Sequence, residues 1–231
     1  HCKTRRQRQM CIRDREQGMP SEQITIAETL SESGYYTAHI GKWHLGYANG
    51  MDPQSQGFHD SLGLQGGYYL PEDHPDVVNA KFDTSIDKMV WSSGQYAAKF
   101  NGGSLFKPDG YVTDYYTQEA LKVIEKNKNR PFFLYLSHWA IHNPLQALRS
   151  DVQEMSHMNG HNLQVYSGMI AALDRSVGRI VEKLKELDIY GRTFIIFTSD
   201  NGGANYIELE DVNKPYSCLL YTSDAADESC R

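Results

Sequence analysis

The sequence predicts an α/β fold, a mostly parallel sheet flanked by helices, and three observations support that expectation. Residues 35–40, 132–136 and 193–198 are short apolar runs without the polar alternation of a half-exposed strand, as expected of strands covered on both faces. Helical patterns separate these runs, and the last pattern repeats apolar residues at steps of three and four from Val165 to Leu187. Strand, helix, strand, helix, strand in that order requires helices packed on a parallel sheet.

Along the chain, Ser21-Glu22-Gln23 ahead of Ile24, Ile26, Ala27 and Leu30 reads as a capped helix start, with Gly34 as its stop. The strand at 35–40 then runs into a loop at 41–46. Residues 47–110 are rich in Gly, Asn, Asp and Pro without a sustained period, which predicts long loops and small strands folded over a site rather than forming a core. Thr113 or Asp114 caps a helix carrying Tyr116, Ala120, Leu121 and Ile124, ending at 127–130, and Pro131 opens the strand at 132–136. Val165, Met169, Leu173, Val177, Ile180, Leu184 and Leu187 form one face of a second long helix. Gly191 punctuates, and 193–198 is the third strand. There is no internal repeat and no low-complexity segment.

Composition narrows the function classes. With 231 residues, 40% hydrophobic and 23% charged, the chain suits one large α/β domain or two small ones. No run of about 18 apolar residues exists, so no membrane span is expected. The basic, polar start lacks the apolar stretch of a secretory signal. Fifteen Tyr, 8 Phe and 3 Trp argue against disorder, and a pI near 5.8 gives no support to nucleic-acid binding.

Both ends read as foreign. All four cysteines, Cys2, Cys11, Cys218 and Cys230, lie in the terminal tracts. A disulfide clamping the ends is one reading, but a second fits better. Back-translation shows that one DNA stretch, read on its two strands, can encode both RRQRQMCIRDR at 5–15 and CLLYTSDAADE at 218–228, and it resembles a sequencing-library adapter. We therefore expect 1–15 and 218–231 to be adapter-derived tracts outside fold reasoning. Residues 16–217 are then the partial domain of a protein longer at both ends, truncated on either side. That span carries 16 Lys and Arg against 25 Asp and Glu, and the cysteines say nothing about redox compartment.

Ligands in such sheets bind beyond the carboxyl ends of the strands, and functional side chains follow all three predicted strands there. The first leads into Gly41-Lys42-Trp43-His44-Leu45-Gly46, the second into His138 and His142-Asn143-Pro144-Leu145, the third into Ser199-Asp200-Asn201-Gly202-Gly203. Each piece also has a plainer reading. Asp200 to Gly203 is equally a turn, Lys42 a solvated charge, and His142 a loop residue before proline. Together they suggest more. A carboxylate beside an amide oxygen suits a hard cation such as calcium or magnesium, and an ammonium between glycines suits an oxyanion. An imidazole suits proton donation to a leaving oxygen. His39, His59, His138, His157 and His161 read as structural or surface residues. With no Gly-rich phosphate loop, a lysine, two histidines and a hard-metal pair suggest hydrolysis of an anionic ester, with the positive groups neutralising charge on nonbridging oxygens.

Gly34-Tyr35-Tyr36-Thr37-Ala38-His39-Ile40-Gly41-Lys42-Trp43-His44-Leu45-Gly46 closely resembles the second signature of the sulfatases, the formylglycine-dependent branch of the alkaline phosphatase superfamily. His142-Asn143-Pro144-Leu145 and Ser199-Asp200-Asn201-Gly202-Gly203 are similar to two further family blocks, in family order, and within the family the chain looks most like the arylsulfatase B type. The resemblance implies an alkaline-phosphatase-like fold and cleavage of a small-molecule or carbohydrate sulfate ester. It implies Asp200 and Asn201 as ligands of one Ca2+, and Lys42 on a sulfate oxygen and on the hydrated aldehyde of formylglycine. His44 would hydrogen-bond that hydrate, and His142 would touch the sulfate and protonate the departing alcohol. It also implies an exported or lysosomal setting.

The departures are as specific. The family's nucleophile lies in a Cys-x-Pro-Ser-Arg block that occurs nowhere here, and the two upstream metal aspartates are missing as well. A further sulfate-binding lysine would follow a stretch like Asn213-Lys214-Pro215-Tyr216, where adapter-like sequence begins instead. The 231 residues as written are therefore expected to be inactive. Two rivals remain: a phosphodiester or phosphonate monoester hydrolase of the same superfamily, and a non-catalytic anion-binding pseudoenzyme. A nucleophile block upstream would separate them, with Cys-x-Pro-Ser-Arg marking a sulfatase and Thr or Ser with zinc ligands a phosphoesterase.

Overall fold

Thr25 starts the first helix by a reciprocal cap: its hydroxyl accepts the Glu28 amide N–H at 3.0 Å, and the Glu28 carboxylate accepts the Thr25 N–H at 2.7 Å. The helix, α1 (Ile26–Glu32), therefore begins a turn later than the serine-led start expected from sequence. The computed structural model describes residues 18–20, 22–47, 50–203, 207 and 209. Ser21, both terminal tracts and the 213–216 stretch lie outside the described residues. Strands follow at β1 (Tyr36–Gly41), β2 (Asp60–Gln65), β3 (Val77–Ala80), β4 (Ala97–Phe100), β5 (Leu105–Phe106), β6 (Phe132–Ser137) and β7 (Leu145–Leu148). The remaining helices are α2 (Ser85–Ser93), α3 (Val112–Asn127), α4 (Arg149–Glu154) and α5 (His161–Glu186), followed by one 3-10 turn (Tyr190–Arg192).

Five strands form one sheet in the order β5-β4-β2-β1-β6, and β3 and β7 form a separate antiparallel pair. The strands that position the site are parallel: β1 lies between β2 and β6, with Ala38 opposite Asp60 and Leu134. β4 and β5 extend the sheet antiparallel, so the described sheet is mixed around a parallel centre. Alternation along β1 splits its residues between two layers. Ile40 joins the main core with Leu62, Tyr116, Ala120 and Met169. His39 turns instead to the rings of Trp43, Phe58 and Tyr135, where Ala27 of α1, Trp43 and Phe58 make a second core. The sheet thus has α1 on one face and α3 with α5 on the other, the flanked architecture expected from sequence.

The long helix runs as its periodic face requires, burying Val165, Tyr166, Met169, Ala172 and Leu184. At Gly168 it comes so near β7 that an added Cβ would lie 3.2 Å from that of Ala147. Two expectations change. Within 47–110 the small strands form as expected, but so does a helix, α2, whose Thr84 cap accepts the Asp87 N–H, and Leu62, Tyr69, Val77, Phe82 and Ala98 join the main core instead of only covering a site. The expected third strand at 193–198 forms no strand: it pairs with no other among the described residues, and Phe194, Ile196 and Phe197 are exposed. Among the described residues no helix is long and apolar enough to cross a membrane.

Candidate functional site

β1 ends where it does because Gly41 is a glycine. Its φ is +115°, and an added Cβ would sit 1.9 Å from the Ser137 carbonyl oxygen at the end of β6. Sequence reasoning assigned that glycine to the approach of an anion, but the space beside it is filled by the neighbouring strand. The same carbonyl accepts the Lys42 N–H at 2.7 Å, so the two strands end in register and Lys42 leaves the sheet edge in a fixed direction.

The Lys42 carbonyl is held as firmly. It accepts from the Ser137 hydroxyl at 2.7 Å and from His39 Nε2 at 3.1 Å. A carbonyl only accepts, so His39 carries its proton on Nε2, and its Nδ1 accepts from the Ser61 hydroxyl at 2.9 Å. Burial pushes the His39 imidazole down to about 4, outweighing the opposite pull of the Lys42 carbonyl. His39 is structural, as expected, and its structural work is done on the candidate site itself. Next along, Trp43 is buried and donates its indole N–H to the Gly46 and Met51 carbonyls at 2.9 Å. That anchors the 41–46 loop, and His44 stands exposed beyond it.

Past β6 the chain turns at His138 to Pro144. The Tyr69 hydroxyl, fully buried, donates to the carbonyls of Trp139 at 3.0 Å and His142 at 2.9 Å. The His142 N–H also donates to the Trp139 carbonyl at 2.9 Å, and His142 Nδ1 donates to the Asn143 carbonyl at 2.6 Å. His138 faces away from Lys42, bonding Ser176 of α5 at 2.8 Å, and burial pushes it down to about 4.

The charged groups converge from opposite ends of the chain. Lys42 Nζ lies 3.1 Å from Asp200 Oδ2, 158 residues away. The same ammonium is 5.6 Å from the centre of the Trp139 ring, and the His142 ring stacks on that indole with centroids 4.0 Å apart. Lys42, His142 and Asp200 therefore share one sheet edge. Tyr135 of β6 also borders it, its hydroxyl pushed up by burial and then by the Asp200 charge. Asn201 follows Asp200, its amide donating to the Gly202 carbonyl at 3.0 Å while its own carbonyl accepts from the Ser199 hydroxyl at 2.7 Å. His44 lies two residues beyond Lys42 on the same loop. Sequence reasoning passed over Trp139 and Ser137, whose only signal was proximity to motif residues, and Tyr69, which lies far from them in the chain and gave none.

The donor chemistry fits a hard cation in part. Asp200 and Asn201 present neighbouring carboxylate and amide oxygens, whereas calcium takes six to eight. Among the described residues no group of three or more His, Cys, Asp or Glu is placed to hold an ion, and the Asp200 carboxylate is paired with Lys42.

Comparison with known proteins gives a consistent result. A family model described as Sulfatase matches residues 4–216. The uncharacterized sulfatase YdeN of Escherichia coli (strain K12) is 30% identical over 223 residues, covering 90% of this chain and 38% of that protein. The N-acetylgalactosamine-6-sulfatase of Canis lupus familiaris is 32% identical over 189 residues, covering 81% and 34%. The crystal structure of Ps i-CgsB in complex with k-i-k-neocarrahexaose superimposes with a TM-score of 0.72 at 31% identity, covering 88% of this chain and 45% of that one. The chain thus spans less than half the length of each.

Proposed function

We propose, since the chain belongs to the sulfatase family, that it is part of a hydrolase of sulfate esters and supplies the groups that hold the sulfate. Sulfated carbohydrates are the substrate class that relatives favour: one acts, by name, as an N-acetylgalactosamine-6-sulfatase, and a structural neighbour was solved with a neocarrahexaose. The observation that carries the reading is the meeting of Lys42, Asp200 and the Trp139–His142 stack at one sheet edge.

In this reading the Lys42 ammonium binds a nonbridging sulfate oxygen and offsets the charge that grows there as the ester bond breaks. His142, held by its Nδ1 bond to the Asn143 carbonyl, gives a proton to the departing alcohol oxygen. His44, exposed on the Lys42 loop, hydrogen-bonds the nucleophile. In the family that nucleophile is a formylglycine, and no Cys-x-Pro-Ser-Arg block to carry it occurs in these 231 residues. Asp200 and Asn201 would each offer an oxygen to a Ca2+, and its charge would favour an anion beside Lys42. The chain as written binds but does not turn over.

Calorimetric titration of the 231-residue chain with inorganic sulfate tests this. Binding is expected, and Lys42→Ala is expected to weaken it at least tenfold, with no hydrolysis of a chromogenic sulfate ester by either protein. Equal sulfate affinity in Lys42→Ala would remove Lys42 from the site, and turnover by the wild-type chain above that variant would overturn the missing-nucleophile reading.

A further inference from the structure

Lys42 and His142 follow different strands, and both meet one side chain. The Trp139 indole lies under the Lys42 ammonium at 5.6 Å and against the His142 ring at 4.0 Å, the two rings inclined by 29°. The first distance is within cation–π range, and the second is that of stacked rings. Trp139 is itself fixed from three directions. Its carbonyl accepts from the Tyr69 hydroxyl and from the His142 N–H. Its ring lies against Gly67, where an added Cβ would be 3.4 Å from the indole. Its buried indole N–H has no hydrogen-bond partner among the described residues, so the side chain is placed by its faces and edges. A polar atom left unpaired in that way costs free energy, which the contacts of the ring offset.

We propose that Trp139 is a positioning residue of the sulfate site: its indole is the common support that sets the Lys42 ammonium and the His142 imidazole side by side. The inference rests on the proposed sulfate reading and deepens it. Among the described residues the ammonium meets the Asp200 carboxylate and the indole. The carboxylate neutralises the charge that an anion needs, whereas the π face holds the cation without cancelling it. Removing the face takes from Lys42 the support that does not cancel its charge and from His142 the ring it stacks on.

The test uses the 231-residue chain with inorganic sulfate as the probe, in wild type, Trp139→Leu, Trp139→Phe and Lys42→Ala. Trp139→Leu keeps apolar bulk without a π face and is expected to weaken sulfate binding about tenfold, while Trp139→Phe keeps a face and restores affinity to within about threefold of wild type. A second readout is independent of sulfate. In proton–carbon NMR spectra the Lys42 ε-methylene and His142 ring signals are expected to be shifted upfield by the indole ring current. That shift should vanish in Trp139→Leu and survive, reduced, in Trp139→Phe. If Trp139→Leu binds sulfate like wild type while Lys42→Ala does not bind, the positioning role falls and the sulfate site stands. If wild type itself fails to bind sulfate, the sulfate reading falls, and the displaced Lys42 and His142 signals alone decide for Trp139 as their support. Undisplaced signals in wild type overturn the proposal whatever the variants do, including when Trp139→Leu does not fold.

Discussion

Asp200 and an incoming anion compete for one positive charge, because the carboxylate already lies 3.1 Å from Lys42 Nζ while remaining 65% exposed. An ion pair with so wet a partner contributes about 0.5–1 kcal/mol, and that is the amount an anion must displace. Asp200→Asn is therefore expected to raise sulfate affinity about two- to fivefold in metal-free buffer at low salt, a gain that shrinks as added salt screens the pair. Calorimetry with and without added calcium checks the sign. On the proposed reading calcium would occupy the Asp200 oxygens and release Lys42, so with calcium wild type should gain on the variant. A loss of affinity in Asp200→Asn without metal would mean that the carboxylate orders the site rather than competing for it.

At the scale of elements, the candidate site depends on β1 and β6 ending together, and His39 ties that junction from below. Its imidazole titrates near 6.5 when unfolded and about 4 in the fold, because burial opposes the charged form. Between those values the unfolded chain binds more protons than the folded one. The stabilising contribution is thus complete above about pH 6.5 and is lost as the pH falls toward 4, by up to about 1.4 kcal/mol per pH unit. Denaturant unfolding at a series of pH values between 7 and 4 should show this slope, and His39→Gln should lower it. Burial depresses His138 in the same direction, so a shallower slope will remain in the variant. An unchanged slope in His39→Gln would show that the junction is not the titrating element.

What the sequence made legible at this scale follows from how local each signal is. Strands β1 and β6 and helices α3 and α5 are written as apolar runs or periodic faces, and all form close to their expected spans. Helix α2 escaped because its cap and short apolar set, Thr84 with Ile86, Met89 and Val90, sit among Gly- and Pro-rich segments with only nine residues to show a period. Motif residues Lys42, His142 and Asp200 were legible from their types and order. Their supports were not. His39 acts on a backbone carbonyl, Ser137 on the same atom from across the sheet, and Trp139 through its ring faces. None of these leaves a spacing in the chain.

For the whole molecule, residues 193–198 pose the sharpest physical conflict. Thr-Phe-Ile-Ile-Phe-Thr has the composition of a strand buried on both faces, yet Phe194 is 89% exposed, Ile196 72% and Phe197 75%. The segment is bounded by contacts at both ends of β6: Arg192 donates to the Lys128 carbonyl at 2.7 Å ahead of that strand, and Asp200 reaches Lys42 past its far end. Its flanks thus lie near the two ends of β6, and neither it nor the outer edge of β6 has a strand partner among the described residues. An uncharged apolar hexapeptide without proline, next to an open parallel edge, is a template for pairing with another chain. The 231-residue chain is accordingly expected to self-associate at micromolar concentration. Phe194→Glu with Phe197→Lys should shift it toward monomer in light scattering and analytical ultracentrifugation. Those substitutions sit on side chains already in water, so the thermal midpoint should move little. A monomeric wild-type chain would show that the run is covered by residues of its own polypeptide. A double variant that associates as strongly as wild type would place the sticky surface elsewhere.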